Sequence, residues 1–122
     1  SGSTDLLPTL LTKFFKAEAR RALKEASDRH AATLGLKIAG LTIRDQKTRW
    51  GSCSSSGKLS FSWRLAMAPA YVLEYLAAHE AAHLRHMNHG PKFWKLVAEL
   101  DPNWRKAEDW LKRHGPNLRR YG

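Results

Sequence analysis

Five consecutive residues near the middle of the chain have the types and spacing of a metal-dependent hydrolytic site. The segment His79-Glu80-Ala81-Ala82-His83 is an HExxH motif. On a helix, residues four apart share one face about 6 Å apart along the axis, so both imidazoles can reach one Zn²⁺ at ~2.0–2.1 Å. Glu80 then lies beside the first ligand, where it can act as general base on a zinc-bound water. The motif predicts zinc-dependent hydrolysis, with His79 and His83 as metal ligands.

A catalytic zinc needs a third protein ligand and one open position. His89 is the preferred candidate, although on a continuous helix it would lie roughly 240° around the axis from His83. Asn88 and Gly90 are helix-ending residues, and Pro91 is typical of a new helix start, so the chain can fold His89 back over the metal. The sequence therefore predicts a zinc site made of His79, His83 and His89.

Two alternatives for the third ligand stay open at this point. His86 lies near the face of His79 but ~10 Å further along the axis, which suits a tetrahedral ion poorly. Glu99, in the next predicted helix, is a carboxylate alternative. The two remaining histidines, His30 and His114, are expected to be ordinary surface residues.

Hydrolysis of a peptide bond also needs a donor for the oxyanion that forms at the carbonyl. Tyr75 lies one turn before His79, and Arg49 lies on a predicted strand beside the metal helix. Both are candidates for oxyanion or substrate contacts. The strand around Arg49 could pair with an extended substrate, although a core strand with Trp50 packed inside is the slightly favoured interpretation of this segment.

Apolar spacing and helix-breaking residues predict the elements that position these side chains. A long amphipathic helix is expected from Leu10 to Thr33, with Gly35 as its C-terminal stop. Three short strands follow and form a small antiparallel sheet, with a hairpin turn between the last two; they are Leu36–Arg44, Thr48–Cys53 and Leu59–Trp63, and the turn is Ser54–Gly57.

Three further helices are predicted at 69–87, 91–100 and 102–114, each opened by a proline. Asp101 is the expected N-cap of the last helix, and Gly115-Pro116 is expected to close it. The aromatic and apolar residues of these two C-terminal helices have helical spacing and are predicted to be core: Phe93, Trp94, Trp104, Trp110 and Leu111.

Composition restricts the class of protein. The chain has 122 residues, 43% of them hydrophobic, which suits one compact domain; we expect it at 4–122, with residues 1–3 as a cloning remnant. No apolar run reaches the ~18 residues of a membrane span. Cys53 is the only cysteine, which favours a reducing compartment and a cytoplasmic location. The net charge of +10 makes DNA or nucleoprotein an alternative partner.

Four sequence blocks together resemble the YgjP-like metallopeptidase family, which is itself similar to the SprT-like and Spartan proteases. The blocks are TRWGSC, SGKLSFSWRL, the segment from Ala68 to Leu84 that contains HEAAH, and NHGPKFW. They cover most of the chain, from about Thr48 to Trp110. Two departures are Ala81, where a large residue is usual, and NHG in place of NHS. The resemblance implies a zinc site of His79, His83 and His89 with Glu80 catalytic.

These observations predict an α+β, zincin-like domain that hydrolyses peptide bonds in protein or peptide substrates with Zn²⁺. Two alternatives follow from the positive charge. The first is a SprT-like protease of DNA-bound proteins, and the second is a non-catalytic DNA-binding module with a structural zinc. The sequence does not determine the oligomeric state.

Overall fold

The computed structural model describes residues 2–45 and 48–118, with side chains from residue 9 onward. The fold is α+β, as predicted. It comprises helix α1 (Gly2–Thr33), strands β1 (Gly40–Arg44), β2 (Gly51–Cys53) and β3 (Lys58–Ser62), and helices α2 (Ala70–Ala82), α3 (Pro91–Leu100) and α4 (Trp104–Leu118). A short 3₁₀ helix, Trp63–Met67, follows β3 and was not predicted.

Helix α1 ends where the sequence predicts, although it begins earlier than the apolar repeat. Gly35 adopts φ +71°, and the Leu36 N–H donates to the Ala31 carbonyl at 2.9 Å. This is the hydrogen-bond pattern of a glycine-terminated helix. Its inner face packs on α2, and Arg20 Nη1 donates to the Leu41 carbonyl at 2.8 Å, which fastens α1 to the first strand.

The sheet is mixed, and the prediction of an antiparallel sheet is wrong for one of its two pairings. The strand order is β1-β3-β2; β3 is antiparallel to β2 but parallel to β1. The hairpin between β2 and β3 is confirmed, since the Gly57 N–H donates to the Ser54 carbonyl at 3.0 Å and Gly57 has φ +87°. Strands β1 and β2 lie on opposite sides of β3. Strand direction reverses from β1 to β2 and again from β2 to β3, so β1 and β3 run in the same direction.

Three predicted helix limits need correction, namely the end of α2 and both ends of α4. Helix α2 ends at Ala82 rather than at residue 87, and α3 has the predicted bounds. Helix α4 runs to Leu118, through the Gly115-Pro116 pair that was expected to close it. A methyl group at Gly115 would lie 3.2 Å from the Trp50 ring. This glycine therefore serves close packing rather than helix termination.

The core lies between α1, α2 and the sheet and extends beneath α3. Its fully buried large side chains include Leu23, Leu59, Phe61, Leu65, Val72, Tyr75, Phe93 and Val97. The predicted core residues Trp94, Trp104, Trp110 and Leu111 are partly buried against it. Arg64 is also fully buried; its guanidinium pairs with Asp45 and lies 4.7 Å from the centre of the Trp63 ring.

His30 is buried, contrary to the prediction that it lies on the surface. Its exposed fraction is 4%, and Nε2 lies 3.5 Å from Glu74 Oε1 on α2. Burial lowers the pKa of His30, because the charged form loses its hydration. His114 is exposed, as expected.

Candidate metal centre

Helix α2 brings the two histidines of the HExxH motif together. The helix ends at Ala82, but the next residue, His83, keeps helical backbone angles of φ −66° and ψ −18°. His83 therefore stays on the same face as His79, and their ring centres lie 5.2 Å apart. Early termination of the helix leaves the spacing of the motif intact.

The hydrogen bond of His83 fixes which of its nitrogens points to the site. Nδ1 lies 3.0 Å from the backbone carbonyl of His86, which can only accept a hydrogen bond, so Nδ1 carries the proton. Nε2 is then the atom that can bind a metal. Burial lowers the pKa of the His83 imidazole, which favours the neutral form that a metal ligand needs.

His89 completes a cluster of three imidazoles. The chain turns back after α2, and His89 Nε2 lies 3.0 Å from His83 Nε2. One nitrogen from each of His79, His83 and His89 lies within 4.8 Å of the others. Ligands of a tetrahedral zinc at ~2.0–2.1 Å are about 3.4 Å apart, so small movements of these rings would fit a zinc ion.

The alternative third ligands lie outside this cluster. Among residues 2–45 and 48–118, the cluster contains neither the His86 side chain nor Glu99. His86 contributes only its backbone carbonyl to the site, and Glu99 is exposed on α3. Helix α2 ends at Ala82, several residues before the predicted end, so His86 lies beyond the helix that carries His79.

Glu80 lies beside the cluster and is almost fully enclosed. Its exposed fraction is 3%, and Oε2 lies 3.1 Å from His79 Nδ1. The backbone of β2 passes directly over this carboxylate, since a Cβ on Gly51 would lie 3.2 Å from Oε2. The glycine thus allows a strand to approach the carboxylate closely.

Strand β2 lies at the edge of the sheet. The alternation of its hydrogen bonds to β3 shows which of its backbone N–H and C=O groups face outward. The Ser62 N–H donates to the Trp50 carbonyl and the Ser54 N–H to the Lys58 carbonyl, at 3.0 and 2.9 Å. Hydrogen-bonded pairs alternate along an antiparallel ladder, so Ser52 also faces β3. The backbone groups of Gly51 and Cys53 therefore point away from β3, toward the outer edge of the sheet.

The thiol of Cys53 is protonated at neutral pH. Burial and the negative charge of Glu80 raise its pKa to about 11. The side chain is half-buried, and Sγ donates to the Ser54 carbonyl at 3.4 Å. Cys53 is therefore neither a thiolate ligand nor a nucleophile at this pH.

Aromatic rings enclose the histidines from the side of α3. Phe93 stacks on His83 with ring centres 4.4 Å apart, and Trp94 lies 5.6 Å from His79 and 6.0 Å from His89. The sequence prediction assigned both residues to the core. Phe93 is core, but Trp94 is only half-buried and also forms a wall of the site. Helical spacing alone could not distinguish these two roles.

The structure gives different environments to the two candidate oxyanion donors. Tyr75 is 2% exposed, and its hydroxyl donates to Glu108 Oε2 on α4 at 2.9 Å. Burial and this hydrogen bond raise the pKa of Tyr75. Arg49 is exposed on the segment that enters β2. Sequence reasoning did not single out Glu108, because nothing in the local pattern links it to a residue 33 positions away.

With this geometry in place, a comparison with protein families gives one match. The family model for the YgjP-like metallopeptidase domain matches residues 1–114. The chain belongs to the YgjP-like metallopeptidase family. Comparisons with curated proteins and with solved structures found no match. Within the described ranges 2–45 and 48–118, this YgjP-like domain has no helix that is both long and apolar enough to cross a membrane.

Family membership agrees with the local arrangement of side chains. A metallopeptidase needs a metal, and the three converging imidazoles are a group that could hold one. They are set into helix α2 and the turn before α3, and a buried carboxylate lies next to them. The YgjP-like chain thus has the parts of a metal-dependent peptidase in one place.

Proposed function

We propose that this YgjP-like metallopeptidase binds Zn²⁺ through His79, His83 and His89 and hydrolyses peptide bonds, with Glu80 as the general base. The convergence of three imidazole nitrogens within 4.8 Å beside a buried carboxylate is the observation that supports it. Neutral imidazoles are ligands that zinc prefers, and three of them leave a fourth position open. When bound, zinc would lower the pKa of a coordinated water to ~7 and polarise the scissile carbonyl.

Glu80 performs the proton transfers in this proposal. Its carboxylate accepts a proton from the attacking water as the oxygen forms a bond to the carbonyl carbon. The same carboxyl then donates that proton to the leaving amine nitrogen as the C–N bond breaks. The burial of Glu80 keeps bulk water away from its oxygens, and His79 Nδ1 at 3.1 Å holds the carboxylate in place.

Strand β2 positions the substrate in this proposal. An extended peptide can add to the free edge of β2 by bonding to the outward backbone groups of Gly51 and Cys53. That pairing would bring a substrate carbonyl close to Glu80, because a Cβ on Gly51 would lie only 3.2 Å from the carboxylate. Arg49, exposed just before β2, is the proposed donor to the oxyanion, and Tyr75, whose hydroxyl donates to Glu108, is the second candidate.

The decisive experiment combines metal analysis with hydrolysis. Purified wild type should contain about one zinc per chain and digest an unstructured protein such as casein. Glu80→Gln should retain the zinc but lose activity by more than about a hundredfold, since a general base contributes about 10²–10⁴-fold. Activity that survives in Glu80→Gln would refute the assigned base. Wild type that binds zinc but cleaves no peptide would favour a structural metal.

A further inference from the structure

A groove with positively charged walls begins where β2 ends. Its cavity of about 250 Å³ is lined by the Ser54–Gly57 turn, by Lys37 and Arg85, and by the candidate ligand His83. A second cavity of about 550 Å³ also includes Arg85, together with Met87 and Lys92. Arg85 and Met87 line both cavities, so the two adjoin each other beside the candidate metal centre, and together they are called the basic groove.

The charge of the basic groove has one sign. Lys37, Arg85 and Lys92 line it, and no Asp or Glu is among its lining residues in the part of the chain that the structure describes. The groove between α1 and α2 is different, because glutamates and arginines line it together. A cleft lined by cations alone concentrates the positive potential of the protein and attracts anions.

The basic groove also supplies oriented hydrogen-bond donors. Arg85 Nη2 donates to the Leu34 carbonyl at 2.8 Å, which holds the guanidinium in place while further N–H groups remain for a ligand. The hydroxyls of Ser54 and Ser56 lie 3.0 Å apart at the tip of the turn. A guanidinium, an ammonium and hydroxyl groups together can bind a carboxylate.

We propose that the basic groove binds an acidic side chain of the peptide substrate, so that this peptidase prefers substrates with Asp or Glu near the scissile bond. This inference rests on the proposed function. The groove adjoins the candidate metal centre, because His83 lines it together with the Ser54–Gly57 turn that follows β2. A side chain of a peptide bound at that centre can therefore enter the groove from a position close to the site of cleavage.

The test compares matched peptides on the zinc-loaded full chain. Two fluorogenic peptides differ only in carrying Glu or Gln at the three positions on each side of the cleavage site. We expect kcat/KM to favour the Glu peptide by about tenfold at low salt, as two exposed ion pairs contribute about two- to fivefold each. The preference should shrink as ionic strength rises, because salt screens exposed charges.

Single substitutions locate the preference. Lys37→Gln should reduce it by about two- to fivefold, and Lys37→Glu should remove or reverse it. Lys37 is exposed, so these variants should fold normally. Arg85→Gln should act in the same direction, but its contact with Leu34 requires a check of its unfolding midpoint. Lys112→Gln is the matched control, since this exposed lysine lies on α4 and does not line the groove.

The outcomes separate this inference from the proposed function. If wild type cleaves neither peptide, hydrolysis fails as a function, and fluorescence anisotropy of the uncleaved peptides still tests the groove. Equal kcat/KM for the two peptides, unchanged in Lys37→Glu, overturns the acidic preference. A third outcome is that both peptides are cleaved equally and a single-stranded oligonucleotide binds wild type more tightly than it binds Lys37→Glu. That result would assign the groove to nucleic acid and would also overturn the acidic preference.

Discussion

A methyl group on Gly51 would lie 3.2 Å from Oε2 of Glu80. The same methyl would lie 3.0 Å from Cδ1 of Phe61, which is fully buried and cannot move aside easily. The backbone of the edge strand and the carboxylate of the metal helix therefore lie so close that no side chain fits between them. The proposed catalytic base and the proposed substrate strand are thus positioned together.

The first prediction tests this contact with Gly51→Ala. We expect kcat to fall by about ten- to a hundredfold, because the added methyl pushes either Glu80 or β2 out of position. Zinc content should not change, since the histidines are untouched. Gly40→Ala in β1 is the control, as a Cβ there meets nothing within 4 Å. Equal activity of the two variants would show that the contact has no catalytic consequence.

The second prediction identifies the third metal ligand. His89→Ala should weaken zinc binding by more than about a hundredfold. Loss of a residue that only hydrogen-bonds to a metal ligand already lowers metal affinity about 10–100-fold, and loss of a ligand should lower it further. His86→Ala should leave the affinity within about threefold, because only the backbone carbonyl of His86 touches His83. Competition with a zinc chelator measures both affinities. A weaker site in His86→Ala than in His89→Ala would reverse the assignment.

The third prediction separates the two oxyanion candidates. Tyr75→Phe leaves Glu108 without its donor, so we expect a loss of about 1–2 kcal/mol in the free energy of unfolding. Its kcat should fall by less than about tenfold. Loss of a true oxyanion donor costs about 10²–10³-fold, and we expect Arg49→Gln to approach that range without loss of stability. Urea denaturation and steady-state kinetics on both variants decide between them.

The fourth prediction concerns the buried His30. Its pKa is lowered by burial, so the unfolded chain takes up a proton at a higher pH than the folded one. The free energy of unfolding is therefore unaffected by His30 above its unfolded pKa of ~6.5. It falls as the pH drops below that value, until the lowered folded-state pKa is reached. Glu74 at 3.5 Å and the neighbouring Asp101 favour the charged form of His30, but burial outweighs them.

Urea midpoints at pH 7.5, 6.0 and 5.0 measure this dependence on pH. His30→Leu should make the profile less steep in that range, with the remaining slope due to His83, whose pKa burial also lowers, whereas the exposed His114→Leu should leave it as in wild type. A separate loss is expected at lower pH, because the hydrogen bond from Arg29 lowers the pKa of Glu74. An unchanged profile in His30→Leu would place the titrating group elsewhere.

Much of the metal centre could be predicted from the sequence, because it depends on local geometry. The i, i+4 spacing of His79 and His83 places both on one helical face whatever the rest of the fold does. Asn88, Gly90 and Pro91 indicate a chain reversal, and the structure shows His89 brought back beside His83 by that reversal. The bounds of α3 were also predictable, since Pro91 is a strong start signal.

The direction of β1 and the burial of His30 are tertiary features that local patterns describe poorly. Alternating apolar residues indicate a strand but not whether its neighbour is parallel, so the mixed sheet was missed. His30 continues the three- and four-residue spacing of Leu23, Ser27 and Leu34, all of which are buried. Histidine is polar, which favours a surface position, but the helical spacing of residue 30 places it on the buried face of α1.

The pairing of β2 with β3 over only three residues, Gly51 to Cys53, limits how firmly the active-site rim is anchored. A ladder this short at a sheet edge can separate from the domain at a lower free energy than global unfolding requires. Thermal inactivation should accordingly begin several degrees before the helices melt. The temperature at which the peptidase loses activity would then depend on the three residues of β2 rather than on the hydrophobic core.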